Sequence, residues 1–169
     1  MSPPRWSRTP PPAVDVAPGE KVLASATAAN GTVLAGTHDA FYAVADGETR
    51  RVPWEQVEAA TWDRDTDTFR LSEVGTWGEQ RPVHAAVLAE PGRLVELVRE
   101  RVTASVVMQR HVPVDGRRGL RVIARRAPSG AGGVQWVYEY DEGIDPDEDG
   151  VREASRATLE AMRRDVGLP

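Results

Sequence analysis

Residues 21–53 read KVLASATAANGTVLAGTHDAFYAVADGETRRVP, and their period decides the fold. Residues 21–28 alternate as a half-buried strand does and run into Asn30-Gly31, a two-residue hairpin signal. Residues 32–37 (TVLAGT) return. Residues 40–45 (AFYAVA) form a third strand, closed by Asp46-Gly47, and residues 49–53 a fourth. Asx-Gly pairs tolerate the positive φ of a tight hairpin turn, so two of them between apolar runs predict an antiparallel meander.

Outward from there, residues 54–62 (WEQVEAATW) fit two periods. Trp54, Val57 and Thr61 have helical spacing, while Ala60 and Trp62 alternate. A short turn and then a fifth strand from Val57 satisfies both. Residues 63–67 are a polar turn. Residues 69–74 (FRLSEV) make a sixth strand, with Phe69, Leu71 and Glu73 on one face. Residues 82–88 (PVHAAVL) make a seventh. The period then changes to 3.6. Glu90-Pro91 opens a helix expected to run through Met108, with Leu94, Val95, Val98, Val102, Ser105 and Val106 as its apolar stripe. Seven antiparallel strands must close or stack to hide their edges, and one helix can plug the open end.

Seven strands followed by a helix, with the turns Asn30-Gly31 and Asp46-Gly47 and the segment Val52-Pro53-Trp54-Glu55-Gln56-Val57, resemble a pleckstrin-homology-like (PH-like) domain of the bacterial kind. The resemblance covers residues 19–112. It implies a seven-stranded antiparallel barrel or sandwich with a capping helix, used mostly for docking proteins or peptides. Members that bind phosphoinositides gather Lys and Arg around the first hairpin. Here that hairpin is AlaAlaAsnGlyThr, so no phosphoinositide is expected.

Two segments flank this region. Residues 1–18 are rich in proline and poor in apolar residues, which predicts a disordered or polyproline-II tail. Within it, Pro10-Pro11-Pro12 reads first as solvated chain and second as a segment that docks on an aromatic groove, and Trp6 either folds back onto the domain or marks a partner contact. Residues 113–169 predict a β-hairpin (120–126, LRVIARR, and 134–141, VQWVYEYD) joined by the flexible PSGAGG loop. A helix over 146–166 follows, with Val151, Ala154, Ser155, Leu159, Met162 and Val166 along one stripe. A lone hairpin and helix is marginal, so this extension is expected to pack on the first domain. The fold class is α+β.

Composition removes several chemistries. The 169 residues include no cysteine, which excludes disulfides, thiolate catalysis and Cys-based zinc sites. No apolar leader opens the sequence and no apolar run spans a bilayer, so a cytoplasmic protein without membrane insertion is expected. The net charge of −5 disfavours whole-molecule attraction to nucleic acid. The basic residues are 20 Arg and one Lys, Lys21, a bias resembling that of a GC-rich, actinobacterial genome.

Candidate sites follow from what remains. Asp145-Pro-Asp147-Glu-Asp149-Gly150 matches half of an EF-hand loop, but Arg156 stands where a bidentate Glu belongs, and a capped, acidic helix start accounts for the same residues. His38, His84 and His111 have no helical pairing, so no metal or cofactor is expected. No Gly-x-Ser-x-Gly elbow, Walker A or dinucleotide fingerprint is present. The chain reads as non-enzymatic. Two surfaces stand out for binding. One is Trp77 in a glycine-flanked turn. The other is the cluster Arg117, Arg118, Arg121, Arg125 and Arg126, beside Trp136, Tyr138 and Tyr140 on the next strand. Arginines with exposed aromatics would bind single-stranded nucleic acid, whereas aromatics on one face of a strand are more often core. A protein partner is the leading expectation, with nucleic acid at the Arg cluster, or a small ligand or enzyme site in the barrel mouth, as alternatives.

Overall fold

The alternation of residues 21–53 folds into four strands: β1 (Ala24–Thr27), β2 (Val33–Gly36), β3 (Ala40–Ala45) and β4 (Glu48–Pro53). They pair antiparallel in sequence order as one sheet. Asp46 (φ 53°) and Gly47 (φ 78°) turn β3 into β4 as a two-residue loop, the positive-φ pair that a type I′ turn needs. The first hairpin differs from the expected two-residue turn. Ala28 N–H bonds Thr32 C=O at 2.8 Å, so three residues form the loop and only Gly31 takes positive φ (89°). The Asn30 side chain accepts the Thr32 N–H at 3.0 Å.

The structure, a computed structural model, describes residues 12–76 and 78–167. Among them are ten antiparallel strands in three sheets, and two helices, an α+β protein. The chain divides into two compact units, the first ending at Glu100 and the second beginning at Arg101.

In the first unit, a single 3-10 turn (Trp54–Gln56) leads into β5 (Val57–Asp63), β6 (Thr68–Glu73) and β7 (Val83–Val87), which make a separate three-stranded sheet in the order β5-β6-β7. The expected closed barrel is therefore not found: among the described residues no ladder joins the two sheets. The cause is local. Pro53 ends β4 and the 3-10 turn re-aims the chain, while β1 is only four residues long. Side chains bridge the sheets instead. Trp54 is fully buried and donates its Nε1–H to Thr37 C=O at 3.1 Å. Phe41 of β3 packs on Trp54 (centroids 6.4 Å apart) and on Phe69 of β6 (6.0 Å). α1 (Leu94–Ala104) follows, with Leu94 and Val98 buried.

The proline-rich tail ends earlier than composition implies. Val14, Val16 and Val22 pack on the cluster Ala35, Ala40 and Tyr42. Ala17 N–H donates to the Tyr42 hydroxyl at 2.9 Å. Trp6, Pro10 and Pro11 lie outside the described residues.

The second unit corrects the reading of residues 90–108 as one helix. α1 stops at Ala104, and β8 (Val106–Asp115) begins two residues later. Ser105 makes the break: it is buried, and its hydroxyl bonds back to Val102 C=O at 2.6 Å. Its own C=O then accepts from Arg126 N–H at 2.9 Å, which starts a ladder. β9 (Arg118–Arg125) and β10 (Gln135–Tyr140) complete a sheet in the order β10-β9-β8. The expected hairpin is thus a three-stranded sheet. α2 (Asp149–Asp165) packs on it over a core of Leu120, Val122, Ile144, Val151 and Met162. Gly119 sits at a β-bulge, where an added Cβ would lie 1.8 Å from Val112 C=O.

Candidate functional site

The Arg cluster is not one surface. Arg125 is buried, 4% exposed, with its Nη1 3.3 Å from Ser105 Oγ. Arg121 faces Glu139 of the paired strand at 3.6 Å. Arg118 bonds Asp115 at 2.7 Å across the β8–β9 turn. Arg117 and Arg126 are exposed. Strand alternation separates them: Arg121 and Arg125 share one face of β9, while Arg126 falls on the opposite parity. Trp136, Tyr138 and Tyr140 are half-buried against the helix-facing core. Their rings are committed to packing rather than offered as a stacking platform. Trp77 lies outside the described residues.

The histidines are each tied to a carboxylate and stay apart. His38 Nδ1 is 3.7 Å from Asp39. His111 Nε2 is 2.9 Å from Asp141 Oδ2, which also accepts Gly119 N–H at 2.7 Å. The His111 bond, and after it the Gly119 N–H, hold the Asp141 carboxyl below its ordinary range. Among the described residues no three metal-ligating side chains gather. In the acidic segment, Asp145 Oδ1 accepts Asp147 N–H at 2.9 Å and closes a local turn. α2 starts later than expected, at Asp149, and Arg156 is bonded to Glu153 and Glu160.

Two polar networks of the first unit are less local. Glu73 of β6, 6% exposed, receives Arg50 Nη2 of β4 at 2.5 Å and lies 2.7 Å from His84 Nε2 of β7. It links the two sheets. Burial acts to raise its pKa, but the bonds from Arg50 and His84 and the Arg50 charge outweigh it and hold the carboxyl below its ordinary range. Glu20 does the same for residues 14–22. Its carboxylate accepts from Tyr42, Arg51 and Thr37, and these bonds overcome burial to lower its pKa. Both networks are saturated, so neither offers a free group for chemistry.

The open feature is a groove of about 400 Å³ beside β5 and the start of α1. Trp62 and Arg64 line one side. Pro91, Gly92, Val95, Glu96 and Arg99 line the other. β5 puts Trp62 there by alternation, since Ala59, Thr61 and Asp63 point outward. The register fixes the backbone as well. Glu73 N–H bonds Pro82 C=O, so the odd residues of β6 face β7 and its even residues face β5. On β5 the partners Thr61 and Asp63 therefore bond inward, and the N–H and C=O of Ala60 and Trp62 point away from β6. No other strand pairs with β5 among the described residues. Pro91 fixes the chain before α1. One helical turn separates Val95 from Arg99 and sets both on the groove. Arg64 and Arg99 have no ion-pair partner among the described residues, a property they share with Arg70, Arg93, Arg117 and Arg126. A half-buried indole and two guanidinium groups thus lie on one groove, at a strand that pairs on one side only among the described residues.

Sequence reasoning singled out neither Arg64 nor Arg99. They are 35 positions apart and only the fold brings them together. The one local signal was Trp62 in alternation beside a polar turn. Comparison with protein-family models, curated proteins and solved structures gives no match. No described helix is long and apolar enough to cross a membrane.

Proposed function

We propose that this chain is a non-enzymatic docking module of PH-like fold that takes an extended, acidic segment of a protein partner along β5, beside α1. The observation that carries this reading is the groove itself: Trp62 of β5, a strand paired on one side only among the described residues, lines it together with Arg64, Val95 and Arg99. An added strand gains main-chain hydrogen bonds from Ala60 and Trp62, and its alternate side chains enter the groove. The volume lies within the range of ligand clefts and suits one or two side chains. Arg64 and Arg99 select carboxylate or phosphate, and Glu96 disfavours a basic residue beside them.

The PH-like reading draws its support from element order: four strands, then three, then a helix. The cysteine-free composition suits a role in the reducing cytoplasm. On an acidic chain, attraction by two arginines is local, so binding should weaken with salt without vanishing.

A random-peptide display screen against the full chain tests the proposal, with affinities measured by fluorescence anisotropy. Enriched peptides should carry an acidic residue beside an apolar one. Trp62→Ala or Arg99→Glu should weaken them by about tenfold or more, roughly 1.4 kcal/mol. An absence of enriched peptides, or peptides indifferent to both variants, would overturn it.

A further inference from the structure

A second edge of the same sheet points to a different partner. β7 pairs with β6 alone among the described residues. By the register above, Pro82, His84 and Ala86 turn their backbone groups toward β6, so the N–H and C=O of Val83, Ala85 and Val87 point outward. The side chains of these three share the solvent face, where Val83 is 53% and Val87 54% exposed.

Soluble proteins blunt such edges with charge, proline or a bulge. This molecule does so at β8 and β4. β8 carries Arg110, His111, Pro113, Asp115 and register shifts. β4 carries Glu48, Arg50 and Arg51. β7 has none of these: no charged or proline residue lies between Val83 and Val87, its strand register is regular, and His84 is turned inward to Glu73. A groove of about 480 Å³ lies between β6 and β7, at Arg70, Ala85 and Val87, and the first hairpin, at Ala28, Ala29 and Asn30.

The edge is also self-complementary. Its outward residues read Val-Ala-Val in either direction. We propose that β7 is an interface with a second copy of this chain, the two strands pairing antiparallel about a two-fold axis at Ala85. Val83 then lies opposite Val87 of the second copy, Ala85 opposite Ala85, and Val87 opposite Val83. All three are hydrogen-bonded pairs, and each exchanges two backbone bonds. The valines meet across the strands as apolar cross-strand pairs. The two three-stranded sheets become one sheet of six, and the unprotected edge disappears. This is an isologous contact, which closes at the dimer. It is independent of the docking groove, which borders the opposite edge of the sheet.

The chain has no cysteine, so disulfide trapping reads the register directly. Ala85→Cys places two sulfurs across the axis in a pair whose Cα atoms lie about 5.5 Å apart, within disulfide reach. Val83→Cys places the two sulfurs four residues apart along the strands, about 13 Å, which is too far. Under mild oxidation of the full chain, A85C should form covalent dimer at least about tenfold faster than V83C. Adding Val87→Lys to A85C should slow trapping by about tenfold, because a charge then sits opposite Val83. Thermal melts of each variant should match the unmodified chain, since all three sites are exposed. Equal trapping of A85C and V83C, trapping of neither, or indifference to V87K would overturn the proposal. Sedimentation that shows a dimer while A85C stays untrapped would also overturn it, because the interface would lie elsewhere.

Discussion

The two units use their charges in different ways. In the second unit, the arginine pairs are exposed and mostly local: Arg118 with Asp115, Arg152 with Asp149 and Arg156 with Glu153, each within four residues, Arg121 with Glu139 across one ladder, and only Arg110 with Asp165 distant in sequence. These pairs are largely exposed and add little to stability. In the first unit, the buried carboxylates reach far along the chain. Glu73 holds Arg50, 23 positions away, and Glu20 holds Arg51, 31 positions away. Each joins segments that the backbone ladders leave separate. The second unit holds together by an aromatic and aliphatic core on one face of a sheet. The first spends its polar groups on joining two sheets and leaves two guanidinium groups free beside an open edge.

The largest expected effect falls on the second unit. Gly119→Val sets a Cβ within 1.8 Å of Val112 C=O, a backbone atom that cannot yield. It should cost more than about 4 kcal/mol. Hydrogen exchange should show β8 and β9 opening. Protected β8 amides in this variant would mean that the bulge relaxes freely.

Next comes the Glu73 bridge. Glu73→Ala should cost about 2 kcal/mol, since the Arg50 left behind is partly solvated. The pH dependence has a definite sign. The folded carboxyl is held below its ordinary range, so its contribution is present at neutral pH and is lost as pH falls through the folded value. Chemical denaturation between neutral and acid pH should show a shallower acid slope for Glu73→Gln than for the unmodified chain. Equal slopes would show that Arg50 and His84 do not bias the carboxyl.

The smallest effect sharpens the contrast. Arg118→Ala and Arg152→Ala should each change stability by less than about 0.5 kcal/mol in urea melts. A loss as large as that of Glu73→Ala would erase the distinction between the units.

Much of this architecture was legible because it is written locally. Asp46-Gly47 names its turn, since both residues must take positive φ. The seven strands of the first unit follow from short apolar or alternating runs set between turn residues. The end of α1 was not legible. Val102, Ser105 and Val106 fit a helical stripe, and only the ladder from Ser105 C=O to Arg126 makes residue 106 a strand. The Arg cluster misled for a related reason. Sequence proximity put five arginines together, but β9 alternates its faces and buries Arg125. Glu73 was visible as a polar residue on an apolar face, yet Arg50 and His84 reach it from other strands. The groove was hidden altogether, because Trp62, Arg64, Pro91 and Arg99 meet only when α1 follows the second sheet.

The most direct test follows the backbone of β5. Amide exchange of Ala60 and Trp62 should be measured by NMR on the full chain, with and without a saturating peptide from the display screen. Both amides should slow by about tenfold or more as they bond to the added strand, while Ala85 is unchanged. A peptide that binds tightly and leaves Ala60 and Trp62 exchanging as before would contradict docking along β5.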